Sequence, residues 1–145
     1  MKKYICIVVI MFLAIACNQT VNSIKLTPDQ QAYVARAMLQ PIPVVIPKDK
    51  AEEAWGRIQS FIGQYASMKM QIATDYIIET YNPDGSSFAY SYRAAKTVKG
   101  DSVEFALACF TNAQFGMAQK ECERNVHLLA LYAATGELIP ELIIR

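Results

Sequence analysis

The sequence predicts an α+β fold: one small domain in which helices pack on an antiparallel three- to four-stranded meander. Apolar residues between positions 51 and 65 recur at intervals of three and four, the spacing of one helical face. Between positions 68 and 79 they alternate with polar residues, as in a half-buried strand. Turn signals at Asn82-Pro83-Asp84-Gly85 and Lys99-Gly100-Asp101 separate this stretch from two further candidate strands. Such short connections allow only antiparallel neighbours. At 145 residues the chain has room for a single core.

In chain order, the first unit is a leader. Lys2 and Lys3 precede an uncharged apolar run over residues 4–13, and small residues follow at Ala14 and Ala16. This is the pattern of an export signal. The run is too short for the roughly 20 apolar residues of a membrane span. Leu13-Ala14-Ile15-Ala16-Cys17 resembles the lipobox of bacterial lipoproteins, with Ala14 three residues before the cysteine and Leu13 one step further away. The resemblance implies cleavage between Ala16 and Cys17 and acylation of the Cys17 thiol, which becomes the mature amino terminus. Ordinary small-x-small cleavage would cut the same bond and leave the thiol free. In enteric lipoproteins an Asp after the cysteine often signals inner-membrane retention; Asn18 stands here, which implies the outer membrane where that sorting rule applies. Residues 1–16 thus read as signal peptide, 17–26 as a lipid-anchored tether and 27–145 as the domain.

Thr27-Pro28-Asp29-Gln30 is a helix start: Thr27 caps, Pro28 suits the first helical position and Gln30 answers the cap. Val34, Ala37 and Met38 offer this helix a packing face, and Pro41 and Pro43 end it near Leu39. Val44-Val45-Ile46, between prolines, reads as a short edge strand. Asp49 and Glu52 are spaced as a capping box for the helix that carries Ala51, Ala54, Trp55, Ile58, Phe61, Ile62 and Tyr65 on its stripe, which makes Trp55 a core residue. Met68, Met70, Ile72, Thr74, Tyr76 and Ile78 then alternate along one strand, residues 88–95 form a second and residues 102–110 a third. A last helix over 114–135 stops at Gly136, and residues 138–144 are a tail or a final short strand. The order α-β-α-β-β-β-α resembles the TATA-binding-protein-like topology, and the helix cradled by a meander resembles the cystatin-like one. A shared scaffold carries no activity with it.

Removing the leader takes away Cys6 and shifts the formal charge from +1 to −1. No basic face stands out for nucleic acid. Val103, Phe105, Leu107 and Cys109 share one strand face, and Ala118, Cys122, Val126, Leu129 and Ala133 share one side of the last helix. Cys109 and Cys122 therefore both point inward, either as a disulfide suited to an exported protein or as two buried thiols. Two cysteines and the solitary His127 do not supply a four-ligand metal site. No cofactor is implied.

No Gly-x-Ser-x-Gly elbow, phosphate loop or His-Glu-x-x-His motif occurs. Glu52 and Glu53 sit where a helix dipole favours negative charge, and Glu121 and Glu123 flank a buried cysteine. Tyr81, Phe88, Tyr90 and Tyr92 form the one cluster with binding potential: on an open face they would stack on sugar or peptide, and beneath helices they are core. Arg93 and Lys96 are placed to meet an anionic partner. The expected function is that of a non-catalytic binding or assembly module of the cell envelope, held at a membrane through Cys17, with envelope protein, peptidoglycan or glycan as its partner. An envelope hydrolase with an unrecognised site is the alternative.

Overall fold

The computed structural model of the protein describes residues 26–84, 89–112 and 116–144. The leader, Cys17 and Phe88 lie outside these residues. The fold is α+β, and among the described residues three α-helices accompany five strands. In chain order they are α1 (Pro28–Met38), β1 (Val44–Pro47), α2 (Ala51–Tyr65), β2 (Met70–Ala73), β3 (Ile77–Thr80), β4 (Ser91–Lys99), β5 (Ser102–Phe110) and α3 (Gly116–Thr135). The sheet order is β1-β5-β4-β3-β2, with every pair antiparallel.

The first helix begins as its sequence predicts. The Thr27 N–H donates to Gln30 Oε1 at 3.0 Å and the Gln30 N–H to Thr27 Oγ1 at 3.2 Å, so two donors that the helix itself leaves free are satisfied reciprocally. Its packing face differs from the predicted one. Tyr33 and Ala37 are buried, Val34 is half-buried and Met38 is exposed. Tyr33 reaches inward because its hydroxyl donates to the Glu137 carbonyl at 2.8 Å, which ties α1 to the chain beyond α3.

At the second helix the predicted capping box does not form. Residues Lys48–Lys50 make a 3₁₀ turn ahead of α2, so Asp49 lies inside that turn and Lys50 occupies the cap without a side-chain bond. The Glu52 carboxylate pairs with Lys96 across the structure. The apolar stripe holds throughout: Ala51, Ala54, Trp55, Ile58, Phe61, Ile62 and Tyr65 are all buried. Trp55 stacks on Phe105 at 5.9 Å between ring centroids, which attaches α2 to the middle of the sheet.

The single strand predicted over positions 68–79 is two strands. Thr74 Oγ1 accepts the N–H groups of Tyr76 and Ile77 at 3.2 and 2.9 Å, and this hydroxyl turn folds β2 back on β3. The alternation conceals the turn because Thr74 keeps the two-residue rhythm. The next strand starts at Ser91 and extends to Lys99, and Gly100, at φ 58°, closes the hairpin to β5. The sheet thus has five strands where three or four are predicted.

Both helices α2 and α3 lie on one face of the sheet, against Val44, Ile46, Ile78, Tyr92, Ala94, Val103, Phe105 and Leu107. The α3 helix also packs against α1 and α2, which is why Leu128, Ala130 and Leu131 are buried as well as the predicted Cys122, Val126, Leu129 and Ala133. The tail forms a 3₁₀ turn at Pro140–Leu142 and buries Leu142 and Ile143.

Candidate functional site

Cys109, near the end of β5, is joined to Cys122 on α3 by a disulfide, with the Cα atoms 5.5 Å apart. The inward faces of strand and helix meet here. The crosslink fastens the amino-terminal half of α3 to the sheet beside Tyr92, which pairs with Cys109 in the β4–β5 register.

The predicted aromatic and basic residues do not form one surface. Tyr92 is fully buried and Tyr90 nearly so; Phe61 meets the Tyr92 ring edge-on at 5.8 Å. Positions with their parity face the helices, so they are core and offer no stacking platform. Tyr81 stands 52% exposed at the sheet rim. Arg93 projects from the opposite face, its Nε 3.6 Å from Glu79 Oε2. The two buried tyrosines carry hydrogen bonds suited to their setting. Tyr90 donates to Glu121 Oε2 at 2.6 Å, and the Tyr92 hydroxyl accepts from Asn125 Nδ2 at 3.0 Å. Burial, reinforced by the Glu121 carboxylate, raises the Tyr90 hydroxyl above its usual range. Burial pushes Tyr92 up to about 12 against the small opposing effect of Asn125. Both hydroxyls are neutral and structural at neutral pH.

Asn125 is the polar residue that sequence reading missed. Fully buried on α3, it donates from Nδ2 to the Ile144 carbonyl at 2.8 Å and accepts the Ile144 N–H at Oδ1 at 3.4 Å. The amide thereby acts as a strand-like partner for the tail, and Arg124 adds a bond to the Leu142 carbonyl at 3.2 Å. Its signal was available in the spacing: Asn125 lies three residues after Cys122 and four before Leu129, on the apolar stripe. His127, also on α3, is half-buried, and its Nδ1 has no partner among the described residues.

Lys96 lies on the helix-covered face, its side chain only 7% exposed, and pairs with Glu52. Its Nζ is 6.0 Å from the ring centroids of both Trp55 and Tyr76, so the ammonium is held between two aromatic faces and a carboxylate. This arrangement binds its own cation and leaves Lys96 unable to serve as the predicted anion contact. A shallow open cleft of about 320 Å³ runs between α1 and the chain after α3, lined by Asp29, Ala32, Tyr33, Arg36 and Ile139. Arg36 spans it, lying 5.5 Å from the Tyr33 ring and paired with Glu137.

Among the described residues no helix packs on the other face of the sheet. Its central row, read across the strands, is Ile77, Ala95 and Ala106. On one side lie Glu79, Arg93 and Ala108, and on the other Thr97, Glu104 and Val45. Val45 is 57% and Phe110 46% exposed. No protein-family profile, curated protein or solved structure matches this chain.

Proposed function

We propose that the protein is a small lipoprotein of the bacterial cell envelope whose domain is a non-catalytic binding or assembly module, anchored through acylated Cys17. The observation that carries this reading is the cysteine arithmetic. Cys6 leaves with the leader and Cys109 and Cys122 are bonded to each other, so Cys17 is the one cysteine left for lipid. A structural disulfide also suits an exported chain. The tether from Cys17 to Thr27 spans at most about 35 Å when extended, so the partner, whether envelope protein, peptidoglycan or glycan, lies close to the membrane. Asn18 favours the outer membrane. Expression of the full chain in a bacterial host with labelled palmitate tests the reading. Label in the mature protein, a diacylglyceryl mass at Cys17, and loss of both label and membrane association in Cys17→Ser are expected. A mature chain that begins with unmodified Cys17 overturns it.

A further inference from the structure

Residues 37–47 contain no charged side chain. Within this run, the turn from the end of α1 to β1 shows large apolar side chains to solvent: Leu39 is 82% exposed, Met38 40% and Ile42 37%, with Pro41 and Pro43 exposed beside them. A contiguous surface of this kind marks contact with a protein or a membrane. Its backbone decides between them. A protein or glycan partner is held in part by hydrogen bonds, and this turn offers few donors. The Leu39 and Gln40 N–H groups donate inward, to the Arg36 and Ala37 carbonyls at 3.3 and 2.9 Å, and Pro41 and Pro43 have no N–H. Unpaired backbone donors are what make a loop costly to bring against lipid. Here most are removed. Arg36, the cation that precedes the turn on α1, is committed to Glu137 and the Tyr33 ring, so it calls for no anionic partner.

We propose that the turn from Met38 to Pro43 is a lipid-contacting foot that seats the domain on the membrane to which Cys17 anchors it. The proposal rests on acylation of Cys17 and adds how the domain is oriented there. The position of the anchor supplies the occupant. Ten residues lead from Cys17 to the Thr27 cap of α1, a relaxed tether of about 17 Å. The helix has 11 residues and is about 16 Å long. Whether α1 lies along the surface or stands on its carboxyl end, its first residue stays within reach of the anchor. A contact on the far side of a domain about 35 Å across would need the tether stretched to its limit. Three aliphatic side chains and two prolines are too few to hold the protein on a membrane alone. Tethering keeps them at a high effective concentration beside it, where a weak contact is occupied. The turn is braced at both ends, by Tyr33 and Ala37 buried on α1 and by Val44 and Ile46 buried on β1. Leu39 and Ile42 then reach the boundary of headgroups and acyl chains. Because no charge takes part, seating is indifferent to salt and to the anionic lipid content.

The full chain, expressed in a bacterial host and reconstituted in phosphatidylcholine vesicles, tests the foot through fluorescence quenching by brominated acyl chains. Where Cys17 carries diacylglyceryl, the host's product is used directly. Where it is a free thiol, it is coupled to a maleimide-bearing phospholipid, since Cys109 and Cys122 are bonded to each other. The mass at Cys17 therefore reports on the anchor, and quenching reports on the turn. Trp55, 4% exposed in the core, is the unquenched internal reference. Leu39→Trp should add emission that brominated lipid lowers by about twofold or more, with or without added salt or phosphatidylglycerol. Ile72→Trp, at the opposite edge of the sheet about 19 Å from β1, should stay unquenched. Adding Met38→Glu and Ile42→Glu to Leu39→Trp should abolish the quenching while the anchor remains attached. Circular dichroism establishes that each variant is folded. A folded, anchored Leu39→Trp chain without quenching overturns the proposal, as does equal quenching at position 72. So does shielding of position 39 that grows with protein density and ignores brominated lipid, which would assign the turn to a second copy. Unmodified Cys17 in the host's product overturns the anchoring itself, while the coupled chain still shows whether the turn takes lipid.

Discussion

Asn125 decides more at the residue scale than any charged group in the domain. Its side-chain amide satisfies the buried Tyr92 hydroxyl and both backbone groups of the half-buried Ile144. Removing it leaves one buried and two part-buried polar groups without this partner at once. Asn125→Ala should therefore cost about 2–4 kcal/mol in denaturant unfolding and raise hydrogen exchange at Ile144. Stability unchanged within error would mean that the tail is held by its apolar residues alone. Lys96 poses the opposite case, a nearly buried ammonium whose desolvation offsets its ion pair with Glu52. Lys96→Met keeps the stem packed between Trp55 and Tyr76 and should change stability by less than about 1 kcal/mol, whereas Lys96→Ala loses that packing and should cost more.

The ends and junctions of the elements show how much local sequence specifies. Thr27→Ala removes the cap of α1 and should lower stability by about 1 kcal/mol, read as a lower urea midpoint with unchanged slope. Beyond α3, Gly136 adopts φ 80° and its N–H bonds the Tyr132 carbonyl at 2.8 Å, while Arg57 Nη1 donates to the Ala133 carbonyl at 3.1 Å. A Cβ at Gly136 would lie 3.1 Å from the Arg57 guanidinium. Gly136→Ala should thus cost about 1–2 kcal/mol through its backbone conformation and through displacement of Arg57. The junction of β5 and α3 is held by the Cys109–Cys122 bond, which closes a loop with a sequence separation of 13. Replacing both cysteines by alanine should lower stability by about 3 kcal/mol on the chain-entropy account. These junctions were partly legible: the Thr27 box and Gly136 follow from residue types at fixed offsets. The Asp49–Glu52 box was misread because a 3₁₀ turn and a distant Lys96 competed for the same residues.

For the whole molecule, the buried tyrosines govern the alkaline limit. Tyr92 holds its proton to about pH 12 when folded, against an ordinary value of 10, and Tyr90 and Tyr33 are raised in the same direction. The unfolded chain releases these protons first. Stability from these groups is complete below pH 10 and is lost as the pH rises towards 12. Denaturant unfolding between pH 8 and 12 should show this decline, and Tyr92→Phe should make it shallower; an equal slope in the variant would place the cause elsewhere.

The sequence by itself determined the α+β class, the helical stripe of α2, the inward direction of Cys109 and Cys122 and the β4–β5 hairpin. Each depends on periodicity or on turn chemistry within a few residues, which neighbours in the chain enforce. Only the tertiary structure decided that Thr74 divides one strand into two, that Tyr90 and Tyr92 are core while Arg93 faces the other way, and that Asn125 grips the tail. It also decided that Ile77, Ala95 and Ala106 share a row on the sheet face turned away from the helices. These outcomes rest on which face the helices cover and on partners tens of residues apart, and no local pattern carries that information.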